Sequence, residues 1–306
     1  MRNILVTGGT VFVSRFIAQY FSNLGDNVYV LNRNTRTQVK GVTLIEGDRH
    51  NLGDRLKKYN FDVVLDVTAY NKEDVENLIG ALDSIHQYIF ISSSAVYPET
   101  LTQPFSEDAL CGPNGIWGSY GTDKLAAEKY LLDHVPQAYV LRPPYLYGPM
   151  QNVYREPFVF DCAIEDRPFF IPKDGSMPLQ FFHVEDLCRF INIILKQQPK
   201  DHIFNVGNEE AVSITQWVEL CYQVTKASLK MIYVNKNHSQ RDYFPFYDYG
   251  YYLDISRQKA LMPDTKPLLL GLQESYDWYI RHTEEVKKKP FFNYIDTVLV
   301  GKERSY

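Results

Sequence analysis

Through its first 150 residues the chain alternates short segments of β-branched and aromatic side chains with amphipathic stretches of helical period, and this alternation limits the possible folds more than any other feature. Residues 3–7, 28–32, 43–46, 63–67, 87–92 and 138–142 read as strands, each ending at a polar or glycine-rich turn. Between them, residues 11–24 read as a helix closed by Gly25, residues 71–85 open with an acidic first turn, and residues 120–134 are rich in Ala, Leu, Glu and Lys. Parallel strands need long crossovers, so strands alternating with helices predict a parallel sheet covered on its faces. The expected fold is α/β: a Rossmann-type doubly wound parallel sheet over residues 1–150, with segments near 180–210 returning to it. From 151 to 306 the chain turns to loops dense in Pro and aromatics, with helices at 184–196 and 213–225. That half reads as a smaller C-terminal α/β substrate lobe and tail. In open α/β sheets ligands bind beyond the carboxyl ends of the strands, where such a lobe would roof them.

Charge narrows the partners. Lys and Arg number 32 against 37 Asp and Glu, a net charge of −5, which is poor material for gripping a phosphate backbone and disfavours nucleic acid. No stretch approaches the ~20 apolar residues that span a bilayer, and the opening MRNILVTGG holds no secretory core, so a cytoplasmic protein without a membrane role is expected. Cys111, Cys162, Cys188 and Cys221 are dispersed, with no CxxC pair and no His at ligand spacing, so neither a disulfide framework nor a metal site is encoded. They read as small buried hydrophobes.

Three places carry chemistry. Thr7-Gly8-Gly9-Thr10 falls between the first strand and the first helix, where glycines let the backbone approach a pyrophosphate and the helix N-terminus offers free N–H groups. The second strand ends in Asn32-Arg33-Asn34-Thr35-Arg36, with no carboxylate for a ribose 2′-hydroxyl. The guanidinium groups of Arg33 and Arg36 suit a 2′-phosphate, so NADP is preferred over NAD. In the third, Tyr120 and Lys124 share a helix face at i and i+4, downstream of Ser92-Ser93-Ser94 at a strand end. An ammonium near the phenol would favour phenolate and make Tyr120 a general base, while a serine hydroxyl orients the substrate oxygen.

With these residues in place the sequence resembles the extended short-chain dehydrogenase/reductases, the NAD(P)-dependent nucleotide-sugar epimerases and dehydratases. Thr7-Gly8-Gly9 resembles the start of TGxxGxxG, Gly47-Asp48 the Gly-Asp before the adenine pocket, and Ser93-Ser94-Ala95-Val96-Tyr97 the catalytic Ser/Thr segment. Tyr120 and Lys124 match YxxxK; Leu141-Arg142-Pro143 with Tyr147-Gly148-Pro149 matches LRxxxxYGP. Phe182-His183-Val184-Glu185-Asp186, Phe204-Asn205-Val206-Gly207 and the stretch from Asp254 to Lys259 follow the later landmarks. The resemblance implies a catalytic triad of Ser93, Tyr120 and Lys124, with Lys124 also on the nicotinamide ribose. It implies cofactor contacts from Thr7, Gly8, Gly9, Thr10, Val11 and Phe12 at the turn, from Asn32, Arg33 and Arg36, from Asp48 and Arg49, from Val67, Thr68 and Ala69, and from Pro143. The implied function is an NAD(P)-dependent epimerase or oxidoreductase acting on a sugar or nucleotide-sugar hydroxyl. A homodimer is also implied, paired through the helix of Tyr120, where Ala126, Ala127 and Leu131 would suit close contact.

Departures from the pattern bear on the substrate. Val11 and Ser14 stand where the motif has its second and third glycines, Tyr145 where it has an asparagine, and Leu179 where it has an arginine. Losing the amide and the guanidinium removes hydrogen bonds to charged oxygens of about 1.5–3 kcal/mol each, which argues against a standard UDP-sugar site. Ser94-Ala95 replaces the Asp-Glu pair of the 4,6-dehydratases, which disfavours that subclass. The alternative function is a non-catalytic nucleotide-sensing or RNA-binding protein on the same fold, since variants of the glycine turn recur in a branch resembling chloroplast stem-loop RNA-binding proteins. Two further stretches read as structural: the aromatic run 243–252 as rings plugging a lobe interface, and Lys287-Lys288-Lys289 as a solvated turn before a docked tail.

Overall fold

The computed structural model describes residues 1–235 and 237–303. They divide into two compact units: Met1–Tyr147, Phe181–Glu209 and Leu253–Lys266 form the first, and Gly148–Gln180, Glu210–Tyr252 and the segment from Pro267 onward form the second.

The first unit is built on β1 (Asn3–Thr7), β2 (Asn27–Asn32), β3 (Val42–Glu46), β4 (Val63–Asp66), β5 (Gln87–Ile91) and β6 (Tyr139–Arg142), with a seventh strand, Ile203–Asn205, on the outer edge of β6. From that edge the order runs Ile203–Asn205, β6, β5, β4, β1, β2, β3, and every pairing is parallel. Both faces are covered, so the strands are apolar almost throughout, yet the two-residue period of a strand still sorts them. Ile4 and Val6, Val63 and Leu65, and Ile89 and Ile91 enter one core; Leu5, Val64, Tyr88 and Phe90 enter the other. The first core is closed by α1 (Phe12–Asn23) and the helix Val184–Gln197, which contribute Ile17, Phe21, Leu187, Phe190 and Ile191. The second is closed by α2 (Lys72–Ala81) and α3 (Ser119–His134), which contribute Val75, Leu78, Ala127 and Leu131.

Local chemistry sets the element ends. Asn71 caps α2 by accepting the Asp74 amide at 2.9 Å. The helix stops at Ala81, short of the expected residue 85, because Leu82 turns to an extended backbone. Gly9 has φ +89°, and a Cβ there would lie 2.5 Å from a Val30 methyl, so this turn requires glycine. Among the described residues no helix is long and apolar enough to cross a membrane.

The second unit holds the helices Glu156–Ile164, Ile214–Thr225 and Leu268–Tyr279, a parallel pair of Phe169–Pro172 with Met231–Val234, and an antiparallel pair of Pro178–Leu179 with Val212–Ser213. Tyr243, Phe244 and Phe246 from the aromatic run are buried, and Phe244 and Phe246 set edges against the Trp217 ring. These rings fill this unit's own core. Lys287 pairs its backbone with Asn152, and the Lys288 ammonium reaches Asp161 at 2.7 Å, where the Tyr154 and Tyr279 hydroxyls also donate. The lysine run is therefore a tethered turn.

Candidate functional site

The carboxyl ends of β1 to β4 converge on one cavity of about 500 Å³, lined among others by Thr7, Gly8, Asn32, Arg33, Asp48, Arg49, Thr68 and Tyr70. A Cβ on Gly8, at φ +90°, would lie 2.8 Å from both the Ser14 hydroxyl and a Thr68 methyl. Ser14 thus occupies room that the expected glycine would leave open, and its hydroxyl turns back to the Val11 carbonyl at 3.0 Å. Val11 stands at the N-terminus of α1 with no side-chain cap, so the first-turn N–H groups keep their capacity for an anion. Phe12 follows with φ +33°, a left-handed conformation uncommon for an aromatic residue. Thr10 sits in the same turn, half-buried.

Around the cavity the expected contacts separate. Arg33 is exposed on the rim. Asn32 is committed inward, donating to the Gly8 carbonyl at 2.7 Å and to Gln38 at 3.0 Å. Arg36 is exposed and not among the lining residues, so the pair of guanidinium groups expected at the end of β2 is reduced to Arg33. The Asp48 carboxylate accepts the His50 amide at 3.0 Å. Amides of Val67 and Thr68 donate to the Thr7 hydroxyl at 2.9 and 3.1 Å, tying the β4 turn to β1. The Ala69 carbonyl accepts from Lys124, and that of Pro143 from the Ser94 amide at 3.0 Å. The glycine cradle, the open helix end and Arg49, with 10% of its side chain exposed, fit a nucleotide.

Ser93, Tyr120 and Lys124 lie together beside this cavity. Ser93, just past β5, accepts the Ala95 amide at 3.1 Å, and its hydroxyl acts on the Tyr120 phenol, favouring its ionised form. The approach of α3 to this turn depends on Gly121, where a Cβ would stand 2.1 Å from the Ala95 carbonyl oxygen. Lys124 is buried, its ammonium donating to the carbonyls of Ala69 at 2.7 Å and Ile91 at 2.9 Å, and it lies 6.0 Å from the Tyr120 ring centroid. Burial lowers its pKa to about 8, against the opposing charges of Asp66 and Glu128. Tyr120 leaves 38% of its surface exposed although its surroundings are densely packed. That packing raises the phenol pKa, with the Ser93 hydrogen bond pulling the other way. The neighbouring ammonium is turned to two carbonyls, 6.0 Å from the Tyr120 ring centroid, and does not offset that rise.

Sequence reasoning missed the layer beneath. Asp66, fully buried at the end of β4, accepts from the Thr7 hydroxyl at 2.8 Å, from Arg49 at 2.8 Å and from the Tyr88 hydroxyl at 2.6 Å. A carboxylate inside an otherwise apolar strand was the available signal, because a buried charge needs a partner. Glu128, one turn beyond Lys124, pairs with Arg142 and accepts the Ser92 hydroxyl. Tyr70, exposed at the rim, holds its ring 6.3 Å from that of Tyr120. Ala127 and Leu131 lie in the unit's own core, so of the residues expected to pair helices between subunits only Ala126 is exposed.

Comparison with known proteins follows the same outline. The model of the NAD dependent epimerase/dehydratase family matches residues 4–207. The chain is 27% identical to the chloroplast stem-loop binding protein of 41 kDa b of Arabidopsis thaliana, over 90% of this chain and 79% of that protein. It is 28% identical to a probable GDP-L-fucose synthase 1 of Oryza sativa subsp. japonica, over 73% and 72%. The dTDP-glucose 4,6-dehydratase of Bacillus anthracis, solved with NAD, superposes with a TM-score of 0.76 at 20% identity, over 94% of this chain and 99% of that one. The UDP-glucuronic acid 4-epimerase of Bacillus cereus, solved with UDP-glucuronic acid and NAD, gives 0.71 at 23% identity, over 91% and 99%.

Proposed function

The chain belongs to the NAD dependent epimerase/dehydratase family, and from that premise we propose that it is an NAD(P)-dependent epimerase or oxidoreductase acting on the hydroxyl of a sugar or nucleotide sugar. One observation carries the reading: Tyr120, on whose phenol Ser93 acts, and Lys124, one helical turn on with its ammonium on the Ala69 carbonyl, stand beside a nucleotide-sized cavity at the carboxyl ends of the strands. Thr7, Gly8, Gly9 and the α1 N-terminus would hold the phosphates of a dinucleotide, Asp48 would contact its adenine and Lys124 its nicotinamide ribose. When bound, the nicotinamide supplies hydride exchange. Ser93 orients the substrate hydroxyl, and Tyr120 takes and returns its proton. Epimerase chemistry is favoured over 4,6-dehydration by Ser94 and Ala95, both buried and neither able to act as acid or base in a dehydratase's Asp-Glu role. The first unit is the cofactor module and the second the substrate module.

NADP is preferred over NAD, on the strength of Arg33 at the rim and the absence of a carboxylate in Asn32-Arg33-Asn34. Calorimetric titration is expected to show NADP(H) binding more tightly than NAD(H), and Arg33→Ala losing most of that difference. If neither nucleotide binds, the enzyme reading fails. The second reading, a nucleotide-sensing or RNA-contacting protein, then takes its place. Its support is the 27% identity to the chloroplast stem-loop binding protein, and its net charge of −5 opposes it.

A cytoplasmic setting and a homodimer complete the proposal. Four free cysteines, three of them buried, suit a reducing compartment. The exposed face of the α2–α3 pair carries Glu73, Glu76, Asp123, Ala126 and Lys129, so pairing there would be polar. Sedimentation equilibrium is expected to return twice the chain mass, with dissociation as salt rises. A monomer mass at micromolar concentration removes the dimer.

A further inference from the structure

Among the cations lining the cavity is a guanidinium, that of Arg49, to which the proposed chemistry assigns no particular group of the ligand. Arg49 follows β3, and only 10% of its side chain is exposed. Its Nη2 donates to Asp66 at 2.8 Å. Asp66 is shared among three donors, Arg49, Thr7 and Tyr88, so it neutralises the guanidinium while satisfying only one of its nitrogens. Nε and Nη1 are buried with no protein acceptor among the described residues, in a side chain that lines the 500 Å³ cavity. A charged donor buried without an acceptor is unfavourable, and water alone meets a planar cationic fork less well than a multi-oxygen anion does. Asp74 is the other carboxylate acting on Arg49, and it is already engaged by the Tyr70 amide at 2.6 Å and by His50 at 3.3 Å.

We propose that Arg49 is the phosphate-binding side chain of this cavity and that Asp66 is the positioning residue that aims it. The ligand class is a nucleotide phosphate, either the 5′-diphosphate or a 2′-phosphate. This rests on the dinucleotide reading of the cavity and deepens it: Arg49 supplies by side chain the anion contacts that the altered turn at Val11 and Ser14 supplies less readily from its backbone.

The test is calorimetric titration of the full chain and its variants Arg49→Met, Arg49→Lys and Asp66→Asn with adenosine, 5′-ADP and adenosine 2′,5′-bisphosphate. Arg49→Met is expected to lose about 10–100-fold in affinity for the phosphate-bearing probes and nothing for adenosine. Arg49→Lys, which keeps the charge but not the fork, recovers part of that loss. Asp66→Asn moves the same probes in the same direction. A larger loss with 5′-ADP assigns the diphosphate, and a larger loss with the 2′,5′-bisphosphate assigns the 2′-phosphate. Unchanged affinities in folded Arg49→Met overturn the proposal, as does an equal loss for adenosine, which marks a merely structural role. Should Arg49→Met not fold, Arg49→Lys decides: weaker phosphate binding with adenosine unchanged supports the proposal, and wild-type binding overturns it. A wild-type chain that binds 5′-ADP but neither NAD nor NADP removes the dinucleotide reading and keeps Arg49. One that binds no phosphate-bearing probe removes Arg49.

Discussion

Replacing Tyr120 with phenylalanine is expected to lower turnover of any accepted sugar by about 10²–10⁴-fold, while nucleotide affinity and the unfolding midpoint stay near those of the wild type. The substitution removes the hydroxyl on which Ser93 acts and leaves the ring beside that of Tyr70. Turnover unchanged in Tyr120→Phe would sink the triad. The pH profile tests the same group from another side. Lys124 titrates at about 8, so its ammonium is present below that pH and is lost as pH rises through it. Nucleotide affinity should therefore fall on the alkaline side. Stability should move the opposite way. The unfolded lysine holds its proton up to the ordinary 10.5, so between about 8 and 10.5 the unfolded chain binds more protons and this group's contribution to stability rises with pH. A flat profile of nucleotide affinity across pH 8 would remove Lys124 from the ligand contacts.

The largest loss of stability is expected at Glu128. Its carboxylate receives Arg142 Nη2 at 2.6 Å and Nε at 3.1 Å, and the two side chains are 2% and 3% exposed. Arg142 also donates to the Tyr97 hydroxyl at 2.9 Å, which in turn donates to Asn205 at 2.7 Å. The network thereby joins α3 to β6 and the seventh strand. Glu128→Ala leaves a buried guanidinium without a countercharge and should cost about 3–5 kcal/mol in denaturant unfolding. The double variant Glu128→Leu with Arg142→Met should recover most of that loss, because a well-packed apolar pair tolerates burial. A single variant of wild-type stability would show that solvent reaches the pair.

Residue patterns carry the first unit's architecture well. Strands covered on both faces become continuous β-branched runs, and the i,i+4 spacing of Tyr120 and Lys124 shows at once on a helix. Patterns fail where partners are distant or periodicity vanishes. Asp66 meets Arg49 and Tyr88 from 17 and 22 residues away, and nothing local announces either pairing. Glu156–Ile164 is buried on every side except at Ile164, so it shows no amphipathic stripe and reads as loop. The sign of the Tyr120 shift was illegible for a related reason: spacing brings an ammonium near the phenol, but the carbonyls of Ala69 and Ile91 decide where it points. Ala127 and Leu131 were small and apolar enough for a subunit contact, and the sheet beneath α3 claims them first.

The three-segment make-up of the first unit has a consequence for biosynthesis. The outer edge of β6 is completed only by Ile203–Asn205, which lies about 60 residues downstream of Arg142. At ~5–20 residues/s, a nascent chain holds that edge unpaired for roughly 3–12 s, with the apolar sheet face that Val184–Gln197 later covers still bare. During that interval an unpaired edge and a bare face are the template on which another chain can add. The most vulnerable species is therefore a half-made molecule on the ribosome, and a chaperone that shields the β6 edge there would raise the yield.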